Sequence, residues 1–191
     1  MLKYDNLKNI RRNDRVKIVI GLGNPGIEYE KTRHNFGFMF LEYLEEKYNF
    51  KIEKKKLDSL LGECTINNEK VIFVKPMTYM NLSGNAVVKI KQWFKVENKD
   101  ILIVFDDIDI KFGEVRFRSS GSAGSHNGMK SVVQMLSTEN IARIKLGIGE
   151  IKHPNQDLAD FVLHRFSKEE EEKLVDIMSE TEKKLLQFLD K

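Results

Sequence analysis

The sequence predicts one α/β domain with a mixed central β-sheet flanked by helices. Three observations carry this. Short apolar runs at 16–20, 60–66, 70–74, 101–105 and 144–148 have the length and composition of strands. Stretches with helical spacing of apolar residues lie between and after them, the alternation that builds α/β sheets. The chain has 191 residues with 41% hydrophobic content, enough for one core, and shows no repeat, linker or low-complexity tract. A domain over 15–191 is expected, with residues 1–14 as an N-terminal extension without predicted order.

The elements follow in order. Residues 16–20 form a buried strand. Residues 32–48 form a helix that puts Phe36, Phe40, Leu41, Leu44 and Tyr48 on one face. Residues 60–66 and 70–74 flank Asn67-Asn68 and read as a hairpin. The loop KPMTYMNLSG leads into a helix over 83–94, and 101–105 is a short strand ending in Asp106-Asp107. Residues 114–118 alternate like a strand with one exposed face. A Gly/Ser-rich loop over 119–128 precedes a helix reaching Leu136, and a strand covers 144–148. Ser167 to Glu170 is a capping box that starts a final amphipathic helix carrying Leu174, Ile177, Met178, Leu185 and Phe188.

Charge narrows the class. The net charge is +3 and the pI about 8.8, but the charge is polarised. Residues 1–17 hold six basic residues against two acidic, and 167–191 hold five against eight. A local basic face can therefore exist despite the modest total. The single cysteine, Cys64, excludes an internal disulfide, suits a reducing cytoplasm, and reads as a buried bystander in a strand. No apolar run approaches a membrane span and no signal peptide is recognised. The expectation is a cytoplasmic protein with no membrane partner.

The stretch GLGNPGIEYEKTRHNFG places Gly21, Gly23 and Gly26 in a G-x-G-x-x-G pattern behind the first strand. A dinucleotide reading fails on the residues around it. Pro25 removes one N–H donor, and Glu28 and Glu30 bring carboxylates to where a pyrophosphate would sit. The glycines read instead as a tight turn presenting Asn24 and His34.

Three polar loops each follow a strand and each carries an asparagine: Asn24, Asn81 and Asn127. Strand-end crevices are where α/β sheets bind ligands, and an amide can hold a carbonyl and its flanking N–H. His34 is the candidate general base, with an ordinary pKa suited to neutral pH. Asp106, at the end of a strand, can hold its imidazole in one tautomer; Asp107 and Asp109 are rivals. No ligand cluster with metal spacing accompanies them, and no G-x-S-x-G elbow is present. A water nucleophile without metal or dinucleotide is expected. Arg116 and Arg118, two apart on a strand, point to one face, with Lys111, Lys130, Arg143 and Lys145 nearby as a potential phosphate-binding cluster.

Six blocks, in order, resemble bacterial-type peptidyl-tRNA hydrolases from about residue 16 to residue 166: GLGNPGIEYEKTRHNFG, KPMTYMNLSG, DDIDIKFGEVRFR, GSAGSHNGMKS, KLGIG and DFVLHRF. The resemblance implies a monomeric, cofactor-free enzyme that hydrolyses the ester between a peptide and the 3′ end of tRNA, recycling tRNA from prematurely released chains. It implies His34 and Asp106 as the catalytic pair, with Asn24 beside them. It assigns Asn24, Asn81 and Asn127 to substrate binding, Tyr29 and Met80 to the peptide and 3′-end crevice, and Arg116, Arg118 and Lys145 to tRNA phosphate. Three features depart from the family pattern: residues 1–14, the pair Lys111-Phe112 before Gly113, and EIKHPNQD after Gly149. A non-catalytic RNA-binding relative, like the hydrolase-like intron splicing factors of plastids, is the alternative; the intact His34, Asp106 and asparagine set argues against it.

Overall fold

A computed structural model describes residues 16–149 and 157–190. The 1–14 extension, and residues 150–156 of the EIKHPNQD stretch, lie outside the described residues.

Seven strands form one mixed sheet: β1 (Val16–Gly21), β2 (Lys54–Lys56), β3 (Ser59–Ile66), β4 (Glu69–Pro76), β5 (Ile101–Asp107), β6 (Val115–Arg118) and β7 (Ala142–Gly147). Their order is β2-β3-β4-β1-β5-β7-β6, which puts β1 in the middle with three strands on either side. β1 is parallel to β4 and β5, and β5 to β7; the outer pairings β2/β3, β3/β4 and β6/β7 are antiparallel. All six residues of β1 are buried, because helices cover both faces of a central parallel strand.

Side-chain alternation divides the core in two. Val19, Phe73 and Val104 pack on one face against Phe36 and Phe40 of α1 (Phe36–Lys47) and Leu185 and Phe188 of α5 (Lys168–Leu189). Ile18, Ile20 and Ile72 pack on the other against Val87 and Ile90 of α2 (Ser83–Phe94) and Met129 and Val132 of α3 (Asn127–Leu136). The β3–β4 hairpin turns on Asn67 (φ 49°) and Asn68 (φ 63°), the left-handed pair that matches strand twist. The Ser167–Glu170 capping box is present and starts α5.

The glycines at the end of β1 do more than turn the chain. A Cβ at Gly21 would lie 2.3 Å from the carbonyl oxygen of Gly37, in the first turn of α1, so the pair permits close approach of strand and helix. This packing accounts for the start of the G-x-G-x-x-G pattern with no cofactor.

Two elements were not expected from the sequence, β2 and the short helix α4 (Leu158–Leu163). The helix expected over 32–48 begins later, at Phe36. Ahead of it Arg33–Asn35 form a single 3-10 turn, in which the Arg33 N–H donates to the carbonyl of His164 at 3.0 Å. No helix among the described residues is long and apolar enough to cross a membrane.

Candidate active site

The C-terminal ends of β1, β4 and β5 open onto a cleft of about 480 Å³. Its walls include Asn24, His34, Met80, Asn81, Asp106 and Asn127, so the fold collects six of the expected residues from four separate loops and strand ends. Leu158, Val162 and Leu163 of α4 supply an apolar side.

Asp106 sits in β5 with only 2% of its surface exposed. Its two carboxylate oxygens lie 3.1 and 3.0 Å from His34 Nδ1. A carboxylate accepts, so the proton is on Nδ1 and the Nε2 lone pair is free. Burial alone would lower the His34 pKa, but the charge and hydrogen bonds of Asp106 outweigh it and raise the imidazole above its ordinary value. Burial likewise pushes the Asp106 carboxyl towards the neutral form. The charges of His34 and His126 and their hydrogen bonds prevail and hold it well below the usual carboxylate range.

The rivals of Asp106 have other partners. Asp107 also lines the cleft, but it pairs with Lys145 at 2.7 Å and accepts the Asp109 N–H at 2.9 Å. Asp109 is exposed.

His126 was not singled out from the sequence, although it stands inside GSAGSHNGMKS. It is the N-cap of α3: its Nδ1 accepts the Met129 N–H at 3.1 Å, which leaves the proton on Nε2, and Nε2–H donates to Asp106 Oδ1 at 3.1 Å. Asp106 is thus gripped by two imidazoles in opposite tautomers. The sequence signal was a histidine at a helix N-cap, a position commonly filled by Ser, Asp or Asn. The three groups also form the His/Asp cluster that sequence spacing did not disclose, with ligand atoms within 4.8 Å of one another. Their protons argue for hydrogen bonding rather than a metal, because coordination at His126 Nε2 would require an imidazolate while Nδ1 already accepts an N–H.

Asn24 is held from three directions. Its N–H donates to Asn35 Oδ1 at 2.8 Å, Asn35 Nδ2 donates to the Asn24 carbonyl at 2.9 Å, and its own Oδ1 accepts the Met80 N–H at 2.7 Å. The last bond fixes the amide orientation: Nδ2, with two donors, is the group left for the cleft. Asn35 therefore positions Asn24, a role hidden in the TRHN block. Met80 is buried in the wall, while Asn81 and Asn127 are exposed at the rim.

Tyr29 is not among the lining residues. It lies half-buried in the 3-10 turn Ile27–Tyr29, and its carbonyl accepts the Thr32 N–H (3.1 Å) and hydroxyl (2.8 Å). The basic residues are not among the cleft lining: Arg116 and Arg118 are on the edge strand β6, and Arg143 and Lys145 on its neighbour β7. Arg116 stands opposite Lys145, and Arg118 opposite Arg143. Arg116 is paired with Glu114 at 2.6 Å and Lys145 with Asp107; exposed Arg118 has no ion-pair partner among the described residues. Arg143 is fully buried, its guanidinium donating to the carbonyls of Ser122, Glu139 and Ile141, which pins the loop leading to His126.

A family model described as peptidyl-tRNA hydrolase matches residues 18–191. The chain is 46% identical over 157 residues to a peptidyl-tRNA hydrolase of Clostridium botulinum (strain Alaska E43 / Type E3), covering 82% of this chain and 81% of that protein. It is 49% identical over 153 residues to one of Alkaliphilus oremlandii, covering 80% and 82%. The crystal structure of peptidyl-tRNA hydrolase from Acinetobacter baumannii superimposes with a TM-score of 0.81 at 31% identity, over 92% of this chain and 93% of that one. A polar cleft at the strand ends, a matching fold and a family match over nearly the whole chain agree: the chain belongs to the peptidyl-tRNA hydrolase family.

Proposed function

We propose that the chain hydrolyses the ester between a peptide and the 3′ end of tRNA with water activated at His34 and no metal. The observation that carries this reading is the His34–Asp106 pair, with Nδ1 bonded to the carboxylate at 3.0 Å and Nε2 left for the cleft. Water bound at Nε2 attacks the acyl carbon as the imidazole takes its proton. Asp106 stabilises the resulting imidazolium and remains ionised. The Nδ2 donors of Asn24 face the developing oxyanion, since Met80 occupies the amide oxygen. Collapse of the tetrahedral intermediate breaks the bond to the ribose oxygen, which recovers the proton from His34 Nε2. The products are a tRNA hydroxyl and a peptide carboxylic acid, which releases its proton to solvent as the carboxylate.

Asn81, in the loop after β4, binds the peptide backbone, and Asn127, at the start of α3, positions the substrate or water. Arg118 takes a phosphate directly; Arg116 and Lys145 join it by exchanging Glu114 and Asp107 for phosphate. The test is steady-state hydrolysis of peptidyl-tRNA by His34→Ala. A loss of about two to four orders of magnitude in kcat/KM with an unchanged melting temperature is expected. Near wild-type turnover by the folded variant would overturn the reading.

A further inference from the structure

The site has two sides, and the phosphate reading uses only one. β1 is the middle strand of seven, and the cleft lies at its end, between two outer edges that are both basic. β6 carries Arg116 and Arg118. The opposite edge, β2, consists of Lys54, Lys55 and Lys56, none of them ion-paired among the described residues. Its register places it at the level of the cleft: Lys56 is opposite Ser59, and Ser59 opposite Pro76, the end of β4. Three strand spacings separate β1 from β2, about 14 Å.

The surface between cleft and edge is continuous. Met80 and Asn81 line the cleft; Tyr79 and Met77, just before them, are 57% and 40% exposed. The Met77 N–H donates to the Asp58 carbonyl at 2.8 Å, which joins this loop to the β2–β3 turn. Beyond the turn, the Lys56 ammonium lies 3.5 Å from the ring centroid of Trp93, itself 55% exposed on α2. Lys54 shares the face of Lys56, two residues away, and Lys89 of α2 pairs with Asp58. The track is therefore aromatic near the cleft and cationic at its far end.

We propose that Tyr79, Trp93, Lys54 and Lys56 form a distal subsite for the peptide portion of the substrate, favouring acidic side chains several residues from the ester. The inference rests on the proposed function, in which the tRNA phosphates go to the β6 edge; the second arm from the same carbonyl then leaves towards β2. An extended peptide advances about 3.4 Å per residue, so a span of about 14 Å puts the fourth to sixth residues over the lysines. Lysines also protect a short edge strand from pairing with another chain, and that role by itself entails no preference among substrates.

The test uses two peptidyl-tRNAs alike at the three residues next to the ester and carrying either three aspartates or three lysines at the fourth to sixth, with N-acetyl-aminoacyl-tRNA as a short control. At low ionic strength wild type should favour the aspartate substrate by about tenfold in kcat/KM, through KM, and the preference should fade at high salt. In K54Q/K56Q the preference should shrink to about twofold or less, while cleavage of the short control is unchanged, which also reports that the variant is folded. Equal rates on both peptides in wild type, or a preference that survives K54Q/K56Q, would overturn the proposal. So would weaker binding of deacylated tRNA by K54Q/K56Q, which would make the edge an RNA surface. Failure of the proposed function shows separately, as undiminished cleavage of the short control by His34→Ala.

Discussion

Asp106→Asn separates a role in charge and tautomer from one in packing. The substitution is nearly isosteric at a residue 2% exposed, so the cavity changes little. The bonds change character. Asp106 now accepts from His34 Nδ1 at 3.0 Å and from His126 Nε2 at 3.1 Å, and no group replaces its charge. An asparagine retains one acceptor oxygen for His126, while its amide nitrogen can only donate to His34. That donation reverses the His34 tautomer and places the proton on Nε2, where the base must act. Removing one partner of a buried pair costs about 3–5 kcal/mol, which in a transition state corresponds to about two to four powers of ten in rate. The assay is single-turnover hydrolysis of peptidyl-tRNA against pH. In wild type the acidic limb should lie above the ordinary histidine value of 6.5, because the net effect of Asp106 is to raise the His34 pKa. In the variant the limb should move below 6.5, as burial remains and the charge does not. A rate within about tenfold of wild type, or a limb that stays in place, would refute the reasoning.

The same shifts carry a sign for stability. Asp106, depressed in the folded state, contributes stability above its unfolded value that is lost as pH falls through its folded value; His34, raised, contributes below 6.5 and loses that contribution as pH rises through its folded value. Arg118→Ala should raise KM for peptidyl-tRNA and reduce its salt dependence by about one counterion, with kcat nearly unchanged, in steady-state assays at several salt concentrations. His126→Ala leaves the His34–Asp106 bond in place, so kcat should fall by about tenfold, far less than for Asp106→Asn; a loss as large as that of Asp106→Asn would give His126 a direct chemical role. Gly21→Ala drives a methyl to 2.3 Å from the Gly37 carbonyl oxygen and should destabilise the fold by about 1–3 kcal/mol or more in urea titrations.

Legibility in the sequence tracked where the signal is local. β1, β5, the Asn67-Asn68 hairpin and the α5 capping box follow from apolar runs, turn asparagines and a cap, all within a few residues, and all are present. β2 was missed because three lysines have no strand character; it exists through its pairing with β3, a tertiary cause. α4 was missed because six residues offer too short a period, and it is anchored by Arg33, whose guanidinium reaches the His164 and Arg165 carbonyls and Glu170 at 3.3, 2.8 and 2.7 Å. In the site, His34, Asp106 and the asparagines announced themselves as strand-end polar groups. His126 and Asn35 did not, since their work is to orient other groups, which only the folded geometry displays. Tyr29, a family position expected at the crevice, is not among the lining residues, and its carbonyl accepts the Thr32 hydroxyl.

Nitrogen-15 NMR of the two histidine rings tests the central claim most directly, because the account assigns them opposite tautomers. With both rings neutral, the free enzyme should show His34 protonated at Nδ1 and bare at Nε2, and His126 protonated at Nε2 and bare at Nδ1. A proton on His34 Nε2 in the neutral ring would contradict the account, since the nitrogen facing the cleft could not then act as the base.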